Sequence, residues 1–342
     1  MKKITIKWSV YAGCFRQEAM KYKFDADYIK RCLTYGKALY EKGLPIIYDQ
    51  EHLATLVGYS KEYLYRASND QSYFYRKFKI PKISGGLRKI AEPLPSLKEI
   101  QRWILDNILY NCKFNKYAKA FIPGKSIREN ARFHRKQKIV LSLDTKNFFE
   151  SIPSSKIYHF FWWLGYCKPV ATMLTNLCTL NGSLPQGAPT SPALSNLVCY
   201  RLDCRLSGFT VKNNIRYTRY SDDLTISGEF NPGSVIRLVE KILHNEGFEL
   251  NKNKIRLMKN HNRQEVTGIV VNDKMQAVRE IRHKLRQDIY YIEKYGLDSH
   301  MDFTKQERAN YVNHLRGKAN FVLFVNSKDR DANHAFKVLN NY

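Results

Sequence analysis

Apolar and polar positions recur with two different periods along this chain, and the switches between them mark its elements. Ile139-Val140-Leu141-Ser142-Leu143 is a short apolar run ending on Asp144, the pattern of a buried strand with a charged end. Residues 215–219 and 224–227 read as a hairpin around Tyr220-Ser221-Asp222-Asp223. Helical spacing appears at Leu97, Ile100, Ile104, Leu105 and Ile108, behind Pro93 and Pro95. It recurs at Ile281, Leu285, Ile289 and Ile292, which gives a helix over 277–295, followed by a second over 307–325. Further helices are expected from about Ser154 to Leu164, Ala193 to Leu206 and Pro232 to Asn245, with a strand over Glu265 to Val271. In order, the middle of the chain reads as a βαββαβ-like core.

Ahead of that core, residues 1 to about 45 are aromatic, basic and helical in pattern, ending at Gly43-Leu44-Pro45. Asp49 to Ala67 reads as short helices. Tyr73 to Ala91 reads as a basic hairpin turning at Ser84-Gly85-Gly86, with Lys82, Arg88 and Lys89 around the turn. Pro185 to Pro192 is a turn-rich loop that opens the helix after it. No repeat or low-complexity segment interrupts the pattern.

Composition adds a strong bias. The chain has 342 residues, 44% of them hydrophobic and 13% aromatic, which fits a globular protein with a full core. Lys and Arg number 57 against 31 Asp and Glu, a net +26. Residues 1–140 carry 29 basic and 12 acidic side chains, so most of the excess lies there. An excess this large reads as a surface for a polyanion, nucleic acid above all. The seven cysteines form no Cys-x-x-Cys pair and no zinc spacing, which suggests free thiols in a reducing compartment. No apolar run reaches the length of a membrane span and no signal-peptide pattern opens the chain, so the expectation is a cytoplasmic protein without membrane contact.

The candidate chemistry lies in three carboxylates. Asp144 ends one strand, and Asp222 and Asp223 stand at the hairpin tip. An Asp pair in a turn is common on a solvated surface. Here the flanking strands are apolar enough to be buried, and three like charges in one cleft repel unless a cation joins them. Two Mg²⁺ ions bridging such carboxylates serve template-directed polymerisation, activating a 3′-oxygen and steadying the leaving pyrophosphate.

Several segments strengthen that reading in combination. Tyr220-Ser221-Asp222-Asp223 resembles the Tyr-x-Asp-Asp signature of reverse transcriptases, and Asp144 through Phe149 resembles their first palm motif. Leu184-Pro185-Gln186-Gly187-Ala188-Pro189-Thr190-Ser191-Pro192 is similar to the loop between those motifs. Leu87 to Pro93 and Leu97 to Ile104 are similar to their fingers motifs. Asn130-Ala131-Arg132-Phe133-His134 resembles the Asn-Ala-x-x-His motif of retron reverse transcriptases, and Val266-Thr267-Gly268 their Val-Thr-Gly motif. Ser221 departs from the usual Ala but is nearly as small. The resemblance covers roughly residues 50–325.

It implies an α/β (α+β) right-hand polymerase with fingers, a ferredoxin-like palm and a short helical thumb. The expected division is a helical extension over 1–48, fingers and palm over 49–272 and thumb over 273–342. Asp144 and Asp222 would hold both Mg²⁺ ions, with Asp223 assisting and the Thr145 carbonyl as an extra ligand. Phe149, five residues after Asp144, stands where the resemblance places a ring that excludes ribonucleotides. Gln186 would contact the incoming dNTP, and Arg88 with Lys82 would clamp its triphosphate. Lys254 or Lys252 would protonate pyrophosphate; the sequence leaves both open. Asn130, His134, Val266, Thr267 and Gly268 would serve the RNA.

The implied reaction is RNA-directed DNA synthesis on a dedicated structured noncoding RNA, primed from a 2′-hydroxyl and yielding a branched RNA–DNA in a bacterial host. A companion effector protein and a part in phage defence come with the resemblance. An intron-maturase-like reverse transcriptase is the first alternative, disfavoured because no long thumb extension or Cys/His endonuclease segment is present. A catalytically inert RNA-binding scaffold is a second, and an RNA-dependent RNA polymerase a third. The three acidic residues weigh against the one and Phe149 against the other.

Overall fold

A computed structural model describes residues 6–81 and 85–342, and the chain divides into two compact units. The first comprises the described residues up to Asn115 together with Phe121–Pro123 and Lys146–Leu202; the second comprises Lys116–Ala120, Gly124–Thr145 and Asp203–Tyr342.

The first unit opens with helices Trp8–Lys21, Ala26–Glu41, Gln50–Val57 and Lys61–Asn69. Asp25, Asp49 and Ser60 cap the last three, each side chain accepting a backbone N–H of the first turn. Strands β1 (Tyr75–Pro81) and β2 (Leu87–Pro93) pair antiparallel, with Pro81 opposite Leu87. Most of the hairpin is solvent-exposed, as its run of basic residues requires. Helices Pro95–Asn107, Ser154–Leu164, Lys168–Cys178 and Ser191–Val198 follow. Ile100, Ile104, Phe161, Leu174, Leu177 and Leu194 are wholly buried in this unit.

The second unit is built on a four-stranded antiparallel sheet of β3 (Ile139–Asp144), β4 (Arg216–Tyr220), β5 (Asp223–Gly228) and β6 (Arg256–Lys259). The spatial order is β4-β5-β3-β6. Helix Tyr200–Lys212 leads into β4, and helix Pro232–Asn245 joins β5 to the sheet's far edge at β6. That order and connection give a ferredoxin-like sheet. Val140, Leu141, Leu143, Leu224, Ile226, Val239 and Leu243 are its buried apolar residues.

Two sequence expectations need correction. The fourth strand of the sheet is Arg256–Lys259, not Glu265 to Val271. That later segment forms a separate small sheet, β7 (Glu265–Val266), β8 (Ile269–Val270) and β9 (Gln276–Ala277). Thr267 and Gly268 are its turn, with φ of 47° and 79°. Positive φ at both central residues is what a tight two-residue hairpin needs. The expected helix over 193–206 is also divided, into Ser191–Val198 and Tyr200–Lys212.

The chain closes with helices Arg279–Tyr295, Leu297–Phe303, Tyr311–Val325 and Arg330–Leu339. Leu285, Ile289, Ile292, Leu315, Val322 and Leu339 form their common core. Among the described residues no helix is long and apolar enough to cross a membrane.

Candidate active site

β3 and β5 are neighbours, and their register brings Asp144 opposite Asp223. Across the hairpin Tyr220 pairs with Asp223, so Ser221 and Asp222 form a two-residue loop. Ser221 takes a positive φ of 62°, a conformation Gly or Asn adopts more readily. The Thr145 N–H donates to the Asp222 carbonyl at 3.2 Å, and the Asn251 N–H donates to the Asp144 carbonyl at 2.8 Å. Backbone bonds therefore tie the strand end, the hairpin tip and the segment before β6 together.

The carboxylates act on one another. Burial, then the Asp144 charge, raises the Asp222 carboxyl above its ordinary range. Burial, followed by the charges of Asp222 and Asp144, pushes Asp223 up to about 6. Both shifts are those of an anionic pocket short of positive charge. Lys254 supplies part of that charge: its Nζ donates to Asp144 Oδ2 at 2.8 Å, and this contact raises the ammonium's own pKa. Asn251 Nδ2 donates to Asp144 Oδ1 at 3.2 Å. Lys252 turns away and pairs with Glu240 at 2.7 Å. Of the two lysines left open by the sequence, the one at the carboxylates is Lys254.

The donor set suits a hard divalent cation. No three His, Cys, Asp or Glu side chains among the described residues close around one point tightly enough to enclose an ion by themselves. Mg²⁺ does not require that, since it is held by one or two carboxylates and completes its shell with water and substrate phosphates. An ammonium already resting on Asp144 is the sign of a cation-seeking cleft. Thr145 is buried, and its N–H and hydroxyl both point to the Asp222 carbonyl.

Asn130 and His134 are not at a surface. Both are wholly buried beneath the hairpin, where their side chains hydrogen-bond to the protein interior. His134 Nε2 lies 2.7 Å from Thr218 Oγ1 and Nδ1 2.7 Å from Ser227 Oγ. Thr218 gives its one hydroxyl hydrogen to Asn130 Oδ1, at 2.6 Å. Its oxygen must then accept from His134 Nε2–H, which leaves Nδ1 to accept from Ser227. Burial, and after it the charges of Arg216 and Lys119, push the imidazole down to about 3. Asn130 Nδ2 reaches Thr267 Oγ1 at 3.5 Å, linking this network to the β7–β8 turn. Val266 is buried in that small sheet's core beside Ala131, while Gly268 is exposed at its turn.

The remaining candidates belong to the first unit. Arg88 is exposed on β2, and Lys82 lies outside the described residues. The Gln186 carbonyl accepts the Ala91 N–H at 2.7 Å, fixing the loop against β2. Gly187 makes that approach possible: a Cβ there would lie 2.6 Å from the Ala91 carbonyl oxygen, and its φ is +127°. Phe148 is buried and Phe149 is half-buried, their rings edge to face at 5.4 Å.

Sequence reading missed Asp203, Thr218 and Ser227 as residues that brace the hairpin, and it offered Arg219 and Tyr217 as residues to stack on bases, whereas both are buried. One signal was present: Arg219 occupies an inward position in a strand otherwise read as buried.

Residues 80–286 match the family model described as reverse transcriptase (RNA-dependent DNA polymerase). The retron Mx65 reverse transcriptase of Myxococcus xanthus is 32% identical over 313 residues, covering 84% of this chain and 71% of that protein. The retron Ec86 reverse transcriptase of Escherichia coli is 30% identical, covering 84% and 87%. Among solved structures, telomerase from Candida albicans in complex with a fragment of telomeric RNA aligns at 10% identity. Its TM-score is 0.43, over 78% of this chain and 63% of that one, a likeness too loose to bear on function.

Proposed function

The chain belongs to the reverse transcriptases, RNA-directed DNA polymerases of right-hand fold, and among them to the retron reverse transcriptases; from that premise we propose that it copies a dedicated structured noncoding RNA, starting from a 2′-hydroxyl of that RNA. The product is a branched RNA–DNA, made in the bacterial cytoplasm and serving antiphage defence beside a companion effector. The observation that carries the reading is the meeting of Asp144, Asp222 and Asp223 with Lys254 at the ends of β3 and β5.

Asp144 and Asp222 are assigned the two Mg²⁺ ions, with Asp223 and the Thr145 carbonyl assisting. Bound there, the ions would activate the attacking oxygen and neutralise charge on the leaving pyrophosphate. Lys254 is the proton donor to pyrophosphate. Its ammonium lies 2.8 Å from Asp144, beside the carboxylates assigned to the metal ions. Arg88 and Lys82 grip the triphosphate, Gln186 contacts the nucleotide, and Phe149 closes the space a 2′-hydroxyl would need. The extension is assigned to 1–48, fingers and palm to 49–272 and thumb to 273–342. Thr267 and Gly268 serve the RNA through the shape of the turn they make, with Asn130, His134 and Val266 supporting it from the interior.

Asp222→Asn tests the site. It keeps the shape of the side chain and removes the charge. DNA extension should fall by at least about 100-fold, the scale set by losing one group that stabilises a transition state. RNA affinity, which rests on basic contacts elsewhere, should stay unchanged. Extension near the parent rate would remove Asp222 from the metal site.

A further inference from the structure

Asp203 and Arg219 are a charged pair with almost no solvent exposure. Arg219 Nε donates to Asp203 Oδ1 at 2.8 Å and Nη2 to Oδ2 at 2.7 Å, a two-point contact. Tyr217 Oη adds a third bond to the same carboxylate, at 2.8 Å to Oδ1. A buried ion pair is a poor source of stability, because removing both charges from water costs about as much as their attraction returns. The third nitrogen of this guanidinium points to a different purpose. Nη1 donates to the Ser221 carbonyl at 3.1 Å.

That carbonyl shares a planar peptide with the Asp222 nitrogen, so holding the oxygen fixes the plane from which Asp222 departs. The following peptide is held as well, since the Asp222 carbonyl accepts from Thr145 N–H at 3.2 Å. Asp222 is thus gripped on both sides. Ser221 needs such a grip: its φ of 62° is uncommon for a residue with a side chain and persists only where the surroundings impose it. Arg219 itself cannot shift easily. Its N–H donates to the Tyr117 carbonyl at 2.9 Å, and its carbonyl accepts from Lys119 N–H at 2.8 Å.

We propose that the buried Asp203–Arg219 pair is a positioning device for polymerisation, holding the Ser221 carbonyl from beneath so that Asp222 presents its carboxylate at a fixed place. The pair touches no substrate and acts through the turn. This rests on the assignment of Asp222 to the active site.

The decisive variant replaces both charges together, Asp203→Leu with Arg219→Met. Apolar residues of similar volume commonly restore the stability of a buried pair while removing its polar reach. The double variant should stay folded, melting lower by about 4–10 °C because the Tyr217 hydroxyl and the Ser221 carbonyl each lose a partner, and should bind RNA with unchanged affinity. Its kcat for DNA extension should fall roughly 100-fold, the scale of a misplaced reacting group, with little change in KM for dNTP. The protection against melting conferred by Mg²⁺ should weaken in parallel, a readout independent of turnover. Arg219→Lys is the second test: it retains the charge opposite Asp203 but lacks the fork that reaches the carboxylate and the Ser221 carbonyl at once. It should fold and lose kcat in the same way. A folded double variant or Arg219→Lys with parental kcat overturns the proposal, and a double variant that no longer folds overturns it too, by making the pair a structural necessity. Asp222→Asn run alongside separates the two claims. If it is inactive while the double variant works, only the positioning role fails; if it is active, the site assignment fails first.

Discussion

His134 offers a quantitative handle on the interior beneath the hairpin that carries Asp222 and Asp223. The ring is neutral in the folded protein, fully buried between Thr218 and Ser227, and burial aided by Arg216 and Lys119 pushes it down to about 3 from 6.5. A group whose folded pKa is depressed binds its proton more readily once unfolded. Its contribution to stability is therefore complete above the unfolded value and is lost as pH falls from 6.5 toward 3. Between pH 7 and pH 5 this one residue should withdraw about 2 kcal/mol from the folded state, roughly two thirds of what the limiting slope of about 1.4 kcal/mol per pH unit would give, because the unfolded imidazole is only partly protonated near pH 6.5. In a unit of this size that corresponds to a melting temperature lower by about 4–8 °C. Other groups titrate in the same window, so the informative quantity is a difference. His134→Gln keeps one donor and one acceptor but cannot titrate. Thermal melts of both proteins at pH 7 and pH 5, in matched salt, should show the parent losing those additional degrees and the variant not. Equal losses in the two proteins would mean that the imidazole is already hydrated or charged, and the neutral bridge between Thr218 and Ser227 would be wrong.

Two other outcomes follow from the first unit. Gly187→Ala places a methyl group 2.6 Å from the Ala91 carbonyl, so the Gln186 loop must leave β2; KM for dNTP should rise by about tenfold or more while RNA affinity holds, and an unchanged KM in steady-state extension would detach Gln186 from nucleotide binding. Phe149→Ala should let ribonucleotides compete better with deoxyribonucleotides by about tenfold or more, the scale at which pocket shape discriminates; unaltered sugar selectivity in a folded, active variant would return Phe149 to the packing residues.

How legible each part was depended on how local its signal is. Ile139 to Asp144 is an apolar run with a charged end, Ser154 to Leu164 and Pro232 to Asn245 carry helical patterns over their own length, and the structure has these elements where the pattern put them. Arg256–Lys259 carries no apolar run because it is a short and mostly exposed edge strand, whereas Glu265 to Val271 is apolar enough to take its place on paper. The helices Leu297–Phe303 and Arg330–Leu339 leave little local signal because they are short and rich in polar residues. At the site, the three Asp residues announce themselves through motif and strand position. Lys254 could not be told from Lys252 until the segment before β6 turned one toward Asp144 and the other toward Glu240. The burial of Asn130 and His134 was likewise out of reach, since their partners Thr218 and Ser227 lie more than eighty residues away and become neighbours only when the helix Ile127–Phe133 packs under the hairpin.

The central claim is tested most directly by the nucleic acid the enzyme makes. Protein purified from its own host, with the material bound to it, can be treated with RNase, and the remaining DNA sequenced and examined at its 5′ end. The account predicts a DNA whose 5′ end stays joined to a ribonucleotide through a 2′-linkage, cleaved by a debranching enzyme and absent from the Asp222→Asn strain. DNA with a free 5′ end, or the same branched DNA in the Asp222→Asn strain, would contradict it.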